Sequence, residues 1–283
     1  MCKECGCGFG GDVQIGGTPM ERDGHSHSHG HSHAHDHDHH HSALTLNHNL
    51  TLNPSPTPRQ ILNVTTALLD KNTRAAARNR ACFAAKKLLV LNVLSSPGSG
   101  KTTLLQKTAA LLRPDLRLGV IVGDLATDND AARLRETGVP VVQITTGTLC
   151  HLEADMIAKA LDQLNLDEID VLIIENVGNL VCPADFDLGE HLRVVLLSVT
   201  EGEDKPLKYQ PMFHSADVAI ITKTDLSAAA EFDRAKALAN LNRVSHHAQV
   251  LELSARSGEG MSAWLKFIKD HREAKKREHI KAH

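Results

Sequence analysis

The residues best suited to chemistry form a glycine-rich turn at 95–103, Ser-Ser-Pro-Gly-Ser-Gly-Lys-Thr-Thr. This turn follows an apolar run at 88–94 and precedes an apolar stretch with helical character that Pro114 ends. A strand, a glycine-rich turn, Lys-Thr and a helix are typical of a phosphate-binding loop, where backbone N–H groups and a helix N-terminus hold phosphates. Ser95 stands where that pattern normally has its first glycine. We predict a nucleotide-binding protein, and the expected phosphate contacts are Gly98, Ser99, Gly100, Lys101, Thr102 and Thr103.

Four side chains are candidates for the hydrolytic chemistry. Lys101 is expected to reach the β- and γ-phosphates, and the Thr102 hydroxyl to bind Mg²⁺. Asp124 closes an apolar strand, where a carboxylate helps to hold Mg²⁺ or to place the attacking water. Glu175 ends another strand, and Gly178 follows three residues later, as in the second switch of GTPases, whose glycine N–H senses the γ-phosphate. No residue stands out as a general base, so we expect slow turnover.

The identity of the base is predicted from residues 222–225, Thr-Lys-Thr-Asp, which are similar to the guanine-specifying N-K-x-D motif. The Asp225 carboxylate would accept the N1–H and N2–H of guanine, which adenine does not offer, and the Lys223 stem would lie over the purine. Ser254 and Ala255 resemble the loop that donates a backbone N–H to guanine O6. Thr222 replaces the usual Asn, which leaves one supporting hydrogen bond open. GTP is favoured, and ATP remains the alternative.

A third group of residues points to metal chemistry. Cys150 and His151 are adjacent, and Cys182 follows Glu175 by seven residues. They offer three ligands, one fewer than a tetrahedral zinc site needs. Movement of the switch at Glu175 would distort such a site. Spacing alone also allows two buried cysteines and a capping histidine.

The N-terminus offers a second set of thiols, Cys2, Cys5 and Cys7. Thiolates are soft ligands that suit Ni, Zn or Cu(I). A solvated tail with incidental cysteines and a redox Cys-x-x-Cys pair are the alternatives.

A histidine tract at 25–41 alternates His with Ser, Gly, Ala and Asp. Such a composition cannot bury a core, so we expect disorder and weak, exchangeable binding of several divalent ions. An expression tag and a polar linker are the competing interpretations. The candidate ligands are His25, His27, His29, His31, His33, His35, His37, His39, His40 and His41.

These residues need a scaffold, and the remaining sequence predicts an α/β domain. We expect a disordered, metal-binding N-terminal tail at 1–57 and a folded domain at 58–283, with one or two helices before the first strand. Strand and helix signals then alternate, which predicts a doubly wound, mostly parallel sheet flanked by helices, with ligands at the carboxyl ends of its strands. Predicted strands are 88–94, 118–122, 141–145, 170–175, 194–199, 219–222 and 250–253, and predicted helices include 131–136, 152–164, 229–241 and 261–276.

Composition limits the class of protein. The formal net charge is −3, which gives no reason to expect nucleic acid as a partner. No apolar run approaches the ~20 residues of a membrane span, and no secretory signal is visible at the N-terminus. The cysteine pattern indicates metal or redox chemistry and not a disulfide framework, so we expect a cytoplasmic protein.

The chain resembles the HypB family, the nickel-insertion GTPases of hydrogenase maturation, over essentially its whole length. The motifs that carry the resemblance are residues 1–7, the histidine tract, and 95–103, 150–154, 175–183 and 200–209. The resemblance implies a SIMIBI-type P-loop NTPase. It implies that Cys2, Cys5 and Cys7 form a tight nickel site. It also implies that Cys150, His151 and Cys182 form a Ni/Zn site at a GTP-dependent homodimer interface.

The implied partners are a small HypA-type nickel metallochaperone and the hydrogenase large-subunit precursor. Two other functions remain open. One is a nickel storage protein in which the nucleotide is only structural, and the other is a urease-type nickel-delivery GTPase. The cysteine motifs favour the hydrogenase interpretation through the resemblance.

Overall fold

The computed structural model describes residues 13–20 and 58–281 of the chain. The described strands are β1 (Gln14–Ile15), β2 (Thr18–Pro19), β3 (Leu89–Leu94), β4 (Leu118–Asp124), β5 (Val141–Thr145), β6 (Val171–Glu175), β7 (Leu192–Ser198), β8 (Val218–Thr222) and β9 (Gln249–Leu253). The described helices are α1 (Pro58–Ala85), α2 (Lys101–Leu112), α3 (Asn129–Arg135), α4 (Ala154–Leu161), α5 (Lys205–Lys208), α6 (Gln210–His214), α7 (Arg234–Val244) and α8 (Met261–Lys281).

The strands form one sheet in the order β2-β1-β5-β4-β6-β3-β7-β8-β9. From β5 to β9 every neighbouring pair is parallel, whereas β1 pairs antiparallel with both β2 and β5. Strand β3 lies between β6 and β7, and the chain leaves it in one direction and later returns on its other side. The turn after β3 therefore lies at the switch point of a doubly wound sheet, where such folds bind ligands. The predicted fold class is confirmed.

The central strands β3, β4, β6 and β8 are buried on both faces of the sheet, which explains why they are almost continuous apolar runs. Alternate residues of β3 enter different cores: Leu91 packs with α2, α3 and α8, while Val90 packs with α4 on the opposite face. Trp264 fixes α8 against α2, because its indole N–H donates to Thr108 Oγ1 at 2.9 Å. These helices hold the carboxyl edge of the sheet, with the predicted site residues, in place.

The first two strands differ from expectation. Residues 13–20 fall within the tail that we predicted to be disordered, yet they form a hairpin that adds to the sheet beside β5. Each strand has only two residues, which is too short to show the alternating pattern of a strand. The domain boundary at residue 58 remains a prediction for the rest of the tail.

The helices mostly follow the sequence prediction. Within the described ranges, one helix, α1, precedes β3. Helix α7 begins at Arg234 and not at the predicted residue 229, since Glu231 adopts a φ of 50° and Asp233 caps the helix by accepting from the Lys236 N–H. The alanines before Glu231 have high helix propensity, and this local preference misplaced the start. Helices α5 and α6 are short and were not predicted.

Candidate functional site

The turn after β3 has the backbone of a phosphate-binding loop. Gly100 lies just before α2 with a φ of 98°, a conformation that favours glycine. Lys101 begins the helix and is buried, and this burial lowers the pKa of its ammonium group. The loop and the first turn of α2 line a cavity of about 480 Å³ through residues that include Gly98, Thr102 and Thr103. Every predicted phosphate contact except Ser99 lines this cavity, and Ser99 lines the adjoining one.

Ser95, which departs from the usual pattern, has a contact of its own. Its hydroxyl accepts a hydrogen bond from Lys101 Nζ at 2.8 Å and another from Ser99 Oγ. A glycine would offer neither. Ser95 therefore holds the lysine inside the loop, beside the other predicted phosphate contacts.

Thr102 and Glu175 lie together at the floor of the cavity. Thr102 Oγ1 donates to Glu175 Oε1 at 2.8 Å, while Glu175 Oε2 is buried without a partner in the described part of the chain. Burial raises the pKa of Glu175 to about 7. A buried carboxylate oxygen without a partner next to a hydroxyl fits the oxygen ligands that Mg²⁺ prefers. Thr102 and Glu175 would hold this ion.

Asp124 ends β4 and lines the same cavity. Its carboxylate accepts hydrogen bonds from the Thr127 hydroxyl at 2.8 Å and from the Ala126 N–H at 3.4 Å. The structure thus brings Asp124 near Lys101 and Glu175, with its oxygens engaged by the next turn.

A second cavity of about 230 Å³ adjoins the first, and Gly100, Thr103 and Lys223 line both. Its other walls include Asp225, Ser254 and Ala255, so the predicted base-recognition residues meet beside the phosphate loop. Lys223 crosses the loop, where its Nζ donates to the Gly98 carbonyl at 2.6 Å.

Thr222, whose departure from N-K-x-D left a hydrogen bond open, makes one in the structure. Its buried hydroxyl donates to the Ser99 carbonyl at 2.9 Å. The threonine therefore joins the end of β8 to the phosphate loop. Thr222 and Lys223 thus fix the walls of the 230 Å³ cavity to the loop that lines the 480 Å³ cavity.

Cys150, His151 and Cys182 meet in space. Their ligand atoms all lie within 4.8 Å of one another, and within the described ranges they are the one such cluster of metal-binding side chains. His151 is buried, its ring lies 3.9 Å from that of Phe186, and its Nε2 is 3.8 Å from Glu153 Oε1. Three converging soft or borderline donors form an incomplete tetrahedral set, to which a fourth ligand can be added.

One loop, residues 176–182, connects the metal cluster to the nucleotide cavity, and we call it the switch loop after the motif that it resembles. It leaves β6 at Glu175 and reaches Cys182, and its Asn179 side chain donates to the Cys150 carbonyl at 3.3 Å. A Cβ added at Gly178 would lie 3.0 Å from Pro97 Cα, so a larger residue would push this loop and the phosphate loop apart by a few tenths of an ångström. A movement of this loop would therefore change the geometry of both the nucleotide cavity and the Cys150, His151 and Cys182 cluster.

Two residues of this region were missed by the sequence analysis. Asn176 is buried, and its Oδ1 accepts from the N–H groups of Leu152 and Val177 at 3.3 and 2.9 Å, which ties the switch loop to the segment after His151. The carboxylate oxygens of Glu201 are buried beside Ser96, and this burial raises the pKa of Glu201. Both lie within motifs that carried the resemblance, at 175–183 and 200–209, and that position is the signal that could have identified them.

The N-terminal candidates lie outside the described residues. These are Cys2, Cys5, Cys7 and the ten histidines of the tract, His25, His27, His29, His31, His33, His35, His37, His39, His40 and His41. Their metal binding remains a prediction. Among the described helices, none combines the length and the apolar character that crossing a membrane requires.

Comparison with known proteins places this arrangement in a family. A family model described as the CobW/HypB/UreG nucleotide-binding domain matches residues 89–252. The hydrogenase maturation factor HypB of Azotobacter chroococcum is 54% identical over 223 residues, which cover 79% of this chain and 73% of that protein. HypB of Escherichia coli K12 is 53% identical over 214 residues, which cover 76% of this chain and 74% of that protein.

A solved structure agrees with these sequence matches. The crystal structure of HypB from Helicobacter pylori in complex with nickel aligns with a TM-score of 0.70 at 42% identity, covering 72% of this chain and 96% of that one. The shared nucleotide-binding domain and identities above 50% over most of the chain are sufficient to assign the family. The chain belongs to the HypB hydrogenase maturation factors.

Proposed function

We propose that the protein is a GTP-hydrolysing nickel metallochaperone that inserts nickel into the hydrogenase large-subunit precursor. The observation that carries this proposal is the loop from Glu175 to Cys182, which has a candidate magnesium ligand at one end and a candidate nickel ligand at the other. Asn179 and Asn176 bind this loop to the segment around Cys150 and Leu152. A change of nucleotide would therefore move a loop that also carries a metal ligand.

GTP is proposed because Asp225 lines the cavity beside the phosphate loop together with Ser254 and Ala255. A carboxylate at that place accepts two N–H groups of guanine, and adenine would leave it without a donor. Mg²⁺, held by Thr102 and Glu175, would neutralise charge on the phosphates. Lys101, which Ser95 holds inside the loop, would donate to the β- and γ-phosphate oxygens and so stabilise the charge that develops during transfer.

Nickel is the proposed cargo at Cys150, His151 and Cys182, and Zn²⁺ suits the same donors. Nickel bound to the Helicobacter pylori relative supports this choice. A fourth ligand from a second copy of the chain would complete the set, in agreement with a GTP-dependent homodimer. A HypA-type metallochaperone is the proposed nickel partner.

The test is equilibrium nickel binding by a Cys2→Ala/Cys5→Ala variant, measured with GDP and with a non-hydrolysable GTP analogue. We expect the nickel affinity of the remaining site to differ at least fivefold between the two nucleotides, because the switch loop carries Cys182. Adding Cys150→Ala should abolish that site. Cys82→Ala, a half-buried cysteine outside the cluster, is the matched control and should change nothing. Equal affinities with both nucleotides would instead support the storage interpretation.

A further inference from the structure

Two chain segments lead away from the metal cluster, and helix α1 lies against both. The first segment begins α4 at Ala154, three residues after His151. The second segment, residues 186–189, follows Cys182 after a short turn. The two segments meet where the Phe186 ring lies 3.9 Å from the His151 ring. Each part of the chain that supplies metal ligands therefore continues into a segment that α1 contacts.

Asn79 of α1 is hydrogen-bonded to both segments through one atom. Its side chain is buried, and its Nδ2 donates to the Ala154 carbonyl at 2.8 Å and to the Leu188 carbonyl at 3.0 Å. An amide nitrogen carries two N–H groups, so one side chain can serve both carbonyls. Because the site is buried, loss of this side chain would leave both carbonyls without a donor and shielded from water. Asn79 thus links the segment after His151 to the segment after Cys182.

Asn72 makes the same link two turns earlier, on the same face of α1. This buried side chain donates from Nδ2 to the Asp187 carbonyl at 2.7 Å, and its Oδ1 accepts from the Ala154 N–H at 2.8 Å. Ala154 is the first residue of α4, so its N–H has no partner within its own helix. Asn72 supplies that partner from another helix. Both asparagines therefore fix the same two segments to each other.

The contact between α1 and the two segments is also close. Ala75 and Ala76, which lie between the two asparagines in sequence, form a buried cluster with Ala154. Gly189 has a φ of 91°, and a Cβ added there would lie 2.6 Å from the Ala76 carbonyl oxygen. Close-packed contacts of this kind transmit displacement, so the two segments cannot move apart without moving against α1.

The location of these contacts matters because the three metal ligands come from separate parts of the chain, 150–151 and 182. A bound divalent ion such as Zn²⁺ holds nitrogen and sulfur donors at about 2.0–2.3 Å, so a small drift of either part removes a ligand. Donors that the fold already holds together bind an ion more tightly than donors that must be assembled around it.

We propose that Asn72 and Asn79 are positioning residues for divalent nickel at Cys150, His151 and Cys182. Each asparagine fixes the segment after His151 to the segment after Cys182, and so keeps the ligands together before the ion arrives. In this role neither asparagine touches the ion. The proposal rests on the proposed function in taking this cluster as a nickel site.

The first measurement is nickel affinity, by competition with a chelator, in the full chain carrying Cys2→Ala/Cys5→Ala as the parent. Asn79→Leu and Asn72→Leu keep the branched shape of the side chain and remove its hydrogen bonds. We expect each to weaken nickel binding about tenfold and to shift the nickel–thiolate absorption band. Asn79→Ser is a milder variant, because one O–H can donate to only one of the two carbonyls, and it should cost about threefold. Nucleotide affinity within about twofold of the parent verifies that each variant is folded.

Asn240→Leu is the matched control. The Asn240 side chain donates to the Glu203 carbonyl at 2.8 Å, so the same substitution removes the same kind of hydrogen bond outside the two segments. It should bind nickel like the parent even where its urea midpoint falls. If Asn72→Leu and Asn79→Leu lost stability in urea but bound nickel like the parent, the asparagines would only stabilise the fold and the proposal would be wrong.

A second measurement separates the positioning from the nickel function. In metal-free protein treated with the thiol oxidant diamide, the rate of Cys150–Cys182 disulfide formation, followed by mass spectrometry, reports how often the two thiols meet. We expect this rate to be about threefold lower in Asn79→Leu than in Asn240→Leu. Equal rates would overturn the positioning role. If Cys150→Ala bound nickel like the parent while the disulfide rate still depended on Asn79, the nickel function would fail and the positioning role would stand.

Discussion

The two ends of strand β6 carry carboxylates that the fold treats in opposite ways. Asp170, just before the strand, accepts hydrogen bonds from Arg117 Nε at 3.0 Å and Arg272 Nη2 at 3.1 Å. The Arg117 hydrogen bonds hold the pKa of Asp170 well below its usual range. Glu175, at the other end, has one hydrogen bond from Thr102 and a buried oxygen without a described partner, and burial raises its pKa to about 7.

This contrast separates stability from binding along one strand. At the amino edge, arginines satisfy the acid and tie β6 to β4 and α8. At the carboxyl edge, Glu175 and Lys101 are both buried, with pKa values shifted towards their neutral forms. Groups that the protein leaves incompletely paired are available for a ligand. We expect substitutions at the carboxyl edge to change activity, and substitutions at the amino edge to change stability.

The largest expected effect is at Lys101. Lys101→Ala removes the cation that we propose stabilises the transferring phosphoryl group, and we expect GTP hydrolysis to fall by a factor of about 10²–10³. The urea midpoint of the nucleotide-free protein should not fall, because a buried ammonium is costly to the fold. Lys107→Ala, exposed on the same helix, is the control and should hydrolyse GTP at the wild-type rate. If Lys101→Ala hydrolysed GTP at more than a tenth of the wild-type rate, the carboxyl edge would not control activity as the contrast between the two edges requires.

Asp170→Asn should have the opposite profile. It leaves the buried Arg272 without its carboxylate, and we expect the free energy of unfolding at pH 7 to fall by about 2 kcal/mol. This loss is smaller than that for breaking a fully buried pair, because Arg117 is half exposed. The folded pKa of Asp170 is lowered, so its contribution is present above the unfolded value of about 3.9 and is lost as the pH falls below it. Urea unfolding between pH 3 and 7 measures this.

A specific control exists for the Asp170 experiment. Asp167→Asn removes a carboxylate that is 73% exposed and paired with Lys86, and it should cost less than about 1 kcal/mol. Nucleotide affinity should be unchanged in both variants. A weakened nucleotide affinity in Asp170→Asn would show that the amino edge also serves binding.

Glu175→Gln tests the carboxyl edge through its stability. The pKa of Glu175 is raised in the fold, so ionisation of the unfolded chain destabilises the native state as the pH rises from about 4.5 to 7. Glutamine does not ionise and keeps an oxygen for the Thr102 hydroxyl. In EDTA we expect the variant to be about 1 kcal/mol more stable than the wild type at pH 8 and equal to it at pH 4. In magnesium, its nucleotide affinity should be lower. A wild type that is the more stable protein at pH 8 would contradict the burial argument.

Much of this fold is predictable from local patterns. The buried strand β5 was predicted with its observed bounds, and the phosphate loop follows from glycine, lysine and threonine at fixed spacing. Strands buried on both faces are uniform apolar runs, and such runs are easy to recognise. The pairing partners of Asp170 were not predictable, since Arg117 and Arg272 come from distant parts of the chain.

The metal cluster and the hairpin show the limits of sequence patterns. Spacing alone left the association of Cys150 and Cys182 open, because only the switch loop brings them together. The hairpin owes its place to Val13 and Ile15 filling the edge of a core made by other segments. Thr222 departs from the N-K-x-D motif, and its hydrogen bond to the Ser99 carbonyl depends on the packing of β8 beside the phosphate loop, which is distant in sequence.

Thr222 gives the smallest predicted effect and sharpens the comparison most. Thr222 lies at the carboxyl edge of the sheet, yet its hydroxyl already has a hydrogen-bond partner within the protein. A substitution here therefore distinguishes the effect of location at this edge from the effect of an unpaired polar group. Thr222→Val keeps the shape and removes one donor from the Ser99 carbonyl, and we expect GTP affinity to fall about two- to fivefold, or about 0.5–1 kcal/mol. Thr222→Asn, which restores a donor, should stay within about twofold of the wild type in a fluorescent-nucleotide titration. If Thr222→Val cost as much as Lys101→Ala, location at the carboxyl edge would determine the role of a residue. A small effect instead means that the unpaired groups at this edge, and not the edge itself, carry the binding.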